Sequence, residues 1–115
     1  MSKKQKKIND CLRLTDQRFK LDKNSIRIHT SNNLEHELAK TILVYEYVYS
    51  GYDVYTEVRF KSGGRADILV PELFLVIEIL NSETEREALQ KLDYYPEELN
   101  IKFIKTVDIL KRKEQ

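Results

Sequence analysis

The chain has 115 residues, room for one domain with a single modest core. Its hydrophobic content of 41% and charged content of 34% fit a soluble globular chain, and a net charge of +1 provides no overall pull toward a polyanion. A single cysteine, Cys11, excludes an internal disulfide and fits a reducing, cytoplasmic setting. No apolar run is long enough to span a bilayer, and the lysine-rich start lacks the apolar stretch of a secretory signal.

Residues 1–8, with Lys3, Lys4, Lys6 and Lys7, read as a flexible basic start. Lys111-Arg112-Lys113 forms a basic end. Such runs either touch phosphates or stay solvated, and short ones usually stay solvated. Residues 9–115 then form the single domain. In 9–31 the anchors are sparse (Leu12, Leu14, Phe19), and Ser25-Ile26-Arg27-Ile28-His29 alternates like a short edge strand.

Asn32 suits the N-cap of a helix running to about Ser50, with Gly51 as its stop. Its apolar stripe is Leu34, Leu38, Ile42, Tyr45 and Tyr49. On that phase Glu35 falls at the edge of the stripe, Glu37 lies further round and His36 points to solvent. Glu35 is then either a boundary glutamate or an acid leaning into a cleft. No cation follows it three or four residues on, where Leu38 and Ala39 stand. Tyr45, Tyr47, Tyr49, Tyr52 and Tyr55 read as packing residues.

Asp53–Phe60 alternates as a strand, with Val54, Val58 and Phe60 on one face and Glu57 and Arg59 on the other. Lys61-Ser62-Gly63-Gly64 is a hairpin turn. The stretch Gly64–Leu80 then reads as two apolar strands joined by a tight turn, each carrying one acid, Asp67 and Glu78. Pro71 falls at a strand end. A turn centred on Glu72-Leu73 sets Asp67 opposite Glu78, and Arg65 opposite Leu80. Opposed residues share a face, with Cβ atoms roughly 5 Å apart. Two acids so placed repel, and burial makes the repulsion worse. Either a cation sits between them, with Mg²⁺ or Mn²⁺ suiting hard oxygen ligands on a rigid sheet, or Asp67 caps the turn while Glu78 pairs with Arg65 or Arg59. Glu57 is a further acid whose register the sequence leaves open.

Ser82-Glu83-Thr84-Glu85 is a capping box opening a second helix that ends near Tyr95, before Pro96. Its core stripe is Ala88, Leu89, Leu92 and Tyr95. Gln90 and Tyr94 share another face, turned to solvent or to a binding surface. Residues 101–107 make a last strand, and the end of the chain a short helix. A helix between the third and fourth strands implies a crossover. The expected fold is α/β, a mixed sheet of about four strands flanked by helices.

Packing the first helix on the sheet brings Glu35 toward Asp67 and Glu78. Three carboxylates on one divalent ion suit phosphodiester cleavage, in which the ion polarises the phosphate and acidifies a water. At these residues the chain resembles the PD-(D/E)xK nuclease superfamily. Glu35, Asp67 and Glu78 match its helix acid, hairpin acid and second-strand acid. The Glu35-His36-Glu37-Leu38 start, the Ser62-Gly63-Gly64 turn and Ala66-Asp67-Ile68 are similar to archaeal Holliday-junction resolvases. Gln90-Lys91-Leu92-Asp93-Tyr94 resembles the Q-x-x-x-Y helix of RecB-like nucleases. The resemblance spans residues 33 to about 107.

The resemblance implies a restriction-endonuclease-like core and a Mg- or Mn-dependent nuclease acting on DNA. Metal ligands would be Glu35, Asp67, Glu78 and the Ile79 carbonyl, while Gln90, Tyr94 and Lys61 would contact the strand. Resemblance to junction resolvases also raises a homodimer as an expectation. One departure is plain: Leu80 stands where the family has lysine. Arg65 or Lys91 are the candidates to replace it, ahead of Lys61 and Lys40. Arg65 can steady a phosphate but is a poor base, and Lys91 also reads as an ordinary surface charge. The alternative is a degenerate nuclease-like protein that binds nucleic acid or scaffolds a complex.

Overall fold

A computed structural model describes residues 1–81 and 85–113, with Glu85 and Lys113 described by their backbone alone. The protein is α/β. Its four-stranded mixed sheet runs in the order β1 (Tyr55–Arg59), β2 (Arg65–Val70), β3 (Leu75–Leu80), β4 (Asn100–Lys105). The first three strands pair antiparallel, and β4 joins β3 in parallel through a helical crossover. Helices α2 (Leu34–Tyr49) and α4 (Thr106–Lys113) contact each other, and both contribute to the apolar cluster that holds Ile68, Ile77 and Ile79. A second cluster joins Cys11 of α1 (Lys3–Leu12) with Tyr95 and Leu99. No helix among the described residues is long and apolar enough to cross a membrane.

Several expectations hold. Ile68 faces Ile77, Leu69 faces Val76 and Val70 faces Leu75, the register that a turn centred on Glu72-Leu73 demands. That turn is a 3₁₀ segment, Pro71–Leu73, closed by Phe74 at φ 47°. Gly51, at φ 96°, ends the run of α2 in a conformation costly for any other residue.

Other expectations fail for physical reasons. The basic start is helical: Ser2 caps α1, whose Ile8 and Cys11 are buried. Two apolar side chains one turn apart were enough to dock a lysine-rich helix. Ser25–His29 is not a strand; it runs beside β1, where the Thr56 hydroxyl accepts from Arg27 N–H and donates to Ser25 C=O. Asn33, not Asn32, caps α2 through His36 N–H. The buried face of α2 is His36, Glu37, Ala39, Lys40, Leu43 and Val44. Most of the expected core stripe is exposed, with Leu34 at 68% and Tyr49 at 81%.

Alternation also breaks within the sheet. Tyr55 and Val58 belong to one apolar cluster, as do Ala66 and Leu69, while Val54, Ile68 and Val70 belong to the other. Both strands therefore change sides near Glu57 and Asp67. Glu57, at φ 51°, supplies the kink. Val54 consequently does not share a face with Val58 and Phe60, and Glu57 is buried while Arg59 is exposed.

The crossover is α3 (Glu85–Leu89) followed by a 3₁₀ helix, Gln90–Tyr94. The capping box Ser82-Glu83-Thr84-Glu85 lies outside the described residues, apart from the backbone of Glu85. In the tighter 3₁₀ winding Gln90 and Tyr94 no longer share a face. Leu89 of the expected stripe is exposed, whereas Ala88 and Tyr95 are buried. The last strand stops at Lys105, and Thr106 already opens α4.

Candidate active site

The antiparallel ladder of β2 and β3 pairs Ile68 with Ile77, and the next positions are Asp67 and Glu78. Here a side chain takes over from the backbone: Asp67 Oδ2 accepts the Ile79 N–H at 2.8 Å. The Asp67 and Glu78 carboxyl groups act on each other's ionisation. Both are buried, and both line a polar cleft of about 310 Å³. Ile79, Arg65, Lys91, His36 and Asn33 also line it. The two strands thus deliver their acids to one place.

Electrostatics separate the pair. Burial and the Asp67 carboxylate push the Glu78 carboxyl up to about 8, although the Tyr95 hydrogen bond and the Lys91 charge pull the other way. Burial also opposes ionisation of Asp67, but His36 and the Ile79 N–H outweigh it and hold its pKa below the ordinary value. The two therefore titrate as a pair, with Asp67 biased toward the charged form and Glu78 toward the protonated one. The Tyr95 hydroxyl donates to Glu78 and lies 2.7 Å from the Arg65 carbonyl, tying the crossover to β2 and β3.

His36 is the site residue that sequence reasoning missed. Expected in solvent, it is buried, with Nε2 3.4 Å from Asp67 Oδ2 and Nδ1 2.9 Å from Glu37 Oε1. Burial disfavours its charge, yet Asp67 and Glu37 outweigh that and raise its pKa. Behind it lies Lys40, at 0% exposure, bonded to Glu37 at 2.7 Å and Glu57 at 3.1 Å. Glu37 also accepts from His29 N–H and Asn32, and these partners overcome burial to bring its pKa to about 2. The spacing of 36, 40, 43, 44 and 47 on one helical face was the available signal. It was hidden because half of that face is polar.

Of the sequence-predicted residues, Asp67, Glu78, Ile79, Arg65 and Lys91 line the cleft. Glu35 does not; it is exposed, because α2 turns His36 and Glu37 inward instead. Glu57 is engaged with Lys40 and lies 3.5 Å from Arg65 Nε, its Oε2 without a hydrogen bond. Lys40 is locked in that network and is no source of a mobile amine. Lys61 lines a separate depression beside Leu12 and Arg13. Gln90 and Tyr94 are exposed. Leu80, two residues after Glu78, is 2% exposed.

Among the described residues no group of three or more His, Cys, Asp or Glu side chains is arranged to hold a metal ion. The expected trio of acids is therefore not assembled. The remaining pair still suits a hard cation that needs only one or two carboxylates and keeps several waters. No protein family, curated protein or solved structure matches this chain.

Proposed function

We propose that this protein is a metal-dependent nuclease hydrolysing DNA phosphodiester bonds, on a restriction-endonuclease-like core of the PD-(D/E)xK kind. The observation that carries the reading is the buried Asp67–Glu78 pair opening into a polar cleft beside Arg65 and Lys91. A buried pair of acids is costly unless something positive joins it. Mg²⁺ or Mn²⁺ would be held by Asp67 and Glu78, with the Ile79 carbonyl as a further donor. Bound there, such an ion supplies Lewis acidity and a more acidic water.

The chain's own residues do the rest. His36 and the Ile79 N–H orient Asp67, and Tyr95 orients Glu78. Arg65 and Lys91 steady the phosphate, replacing the charge that Leu80 lacks. Lys91 lines the same cleft as Asp67 and Glu78, which favours it as the migrated amine. The test is cleavage of labelled single-stranded, duplex and branched DNA with Mg²⁺ or Mn²⁺. Asp67→Asn and Glu78→Gln should each abolish it. Activity persisting in both purified variants would refute the site.

The second reading is a degenerate nuclease-like protein that binds nucleic acid without cutting it. It is favoured by buried Leu80 at the motif position and by the outward Glu35. Mn²⁺ binding by calorimetry without cleavage of any substrate would decide for it.

A further inference from the structure

Next to the acid cleft lies a second groove, of about 360 Å³, that the acids do not enter. Arg59, Arg65 and Lys91 line it, with Tyr94 and the Gly63-Gly64 turn, and among the described residues no acid does. Arg65 Nε also lies 3.5 Å from Glu57 Oε2, so the groove's positive face is set against an acid buried behind it. The cations are placed rather than loose. The Arg59 guanidinium lies over the Phe19 ring, 4.8 Å from its centroid. Arg65 is held by His29 Nε2 at 2.9 Å.

The floor is built for close approach. Gly63 sits at φ 105°, and a Cβ on Gly64 would meet the Tyr94 carbonyl oxygen at 2.6 Å. Gly64 N–H and the Ser62 hydroxyl both donate to that same oxygen, at 3.0 and 2.5 Å. The β1–β2 turn is thereby fastened to the crossover, and the ring of Tyr94 stands at the rim, 59% exposed. Arg65 and Lys91 line both concavities, so a phosphate chain following these cations runs from the groove to the acid pair.

We infer that this groove holds the single-stranded phosphate–sugar chain flanking the scissile bond, with Arg59 and Arg65 on phosphates and a base stacked on Tyr94. An exposed aromatic face beside a basic concavity suits an unpaired base. In a duplex the base faces are already stacked, and a groove of this size admits only about one nucleotide. The inference deepens the hydrolytic reading by assigning its substrate, and its test is made without metal so that binding is read apart from cleavage.

The experiment is fluorescence anisotropy in chelator, with labelled oligodeoxyuridylate and oligouridylate of about 12 nucleotides and a duplex of equal length. Both single strands should bind several-fold tighter than the duplex; a preference between the two tells which sugar is used. Arg59→Gln and Tyr94→Ala should each weaken binding roughly five- to tenfold, within the range of one lost stack or charge contact. Arg59→Gln should also reduce the salt slope by about 0.7. Arg112→Gln, on α4, should bind as wild type. Equal affinity for duplex, or wild-type binding by both groove variants, overturns the inference. Intact groove binding by a protein that never cleaves overturns the hydrolytic reading alone.

Discussion

Asp67 Oδ2 receives the Ile79 N–H at 2.8 Å, so a carboxylate stands in for backbone at the point where the β2–β3 ladder ends. The residue therefore has a structural task beside the proposed chemical one, and two substitutions separate them. Asp67→Asn keeps an oxygen acceptor and should fold with little loss. Asp67→Ala leaves a buried N–H without its partner and should cost about 1–3 kcal/mol. Both should be inactive. Urea denaturation beside the cleavage assay checks the pair; equal stability of the two variants would show that the Ile79 bond contributes little.

Glu78 should make stability fall as pH rises. Its folded pKa of about 8 exceeds the ordinary 4.5, so above 4.5 the unfolded chain gives up a proton that the folded protein keeps. In chelator its contribution is full below that pH and is lost as pH rises through about 8. Glu78→Gln should flatten this slope. Glu37 works oppositely: its lowered pKa stabilises the fold above 4.5 and is lost as pH falls toward about 2. Denaturation across pH reads both. A divalent ion should displace the Glu78 proton, giving proton release at about pH 7 in calorimetry run in different buffers.

Lys40 is buried between Glu37 and Glu57. Lys40→Met leaves two acids without their cation and should destabilise by about 3–5 kcal/mol. Pairing it with Glu57→Gln should recover part of that loss, since one of the stranded charges is gone. A double-mutant cycle by urea denaturation measures the recovery; strictly additive losses would mean that Lys40 and Glu57 are not coupled.

On the proposed nuclease reading, Lys91 and Arg65 are the cations at the cleft that would steady the phosphate. Lys91→Ala should lower the cleavage rate by about 10²-fold, the size of effect seen when one stabiliser of transition-state charge is removed. Lys91→Arg should retain part of the activity. Steady-state kinetics separate this from simple binding loss, because a charge used mainly in the transition state lowers kcat more than it raises KM.

The two faces of α2 offer a test of the fold itself. Leu38→Ser and Tyr45→Ser, on the exposed side, should each cost within about 0.5 kcal/mol. Leu43→Ala, in the core, should cost about 2–5 kcal/mol. The ranking would invert if the apolar stripe at 34, 38, 42, 45 and 49 were the buried one.

The sequence by itself determined what local rules determine. Glu72-Leu73 at the turn centre set the β2–β3 register, which is why Asp67 and Glu78 were legible as neighbours before any coordinates. Gly51 and the crossover before β4 were legible for the same reason: turn chemistry and strand periodicity act over a few residues. The orientation of α2 was not legible. Apolar spacing pointed to Leu34, Leu38, Tyr45 and Tyr49, but the helix turned His36, Glu37 and Lys40 inward. Burying those polar groups is tolerable only because Glu57 and Asp67 meet them from the sheet. Glu57 reaches Lys40 from a left-handed kink that no pattern of alternation announces. The loss of Glu35 from the site and the arrival of His36 follow from that one arrangement. Only tertiary structure decided it, because the partners satisfying each charge lie far apart in the chain.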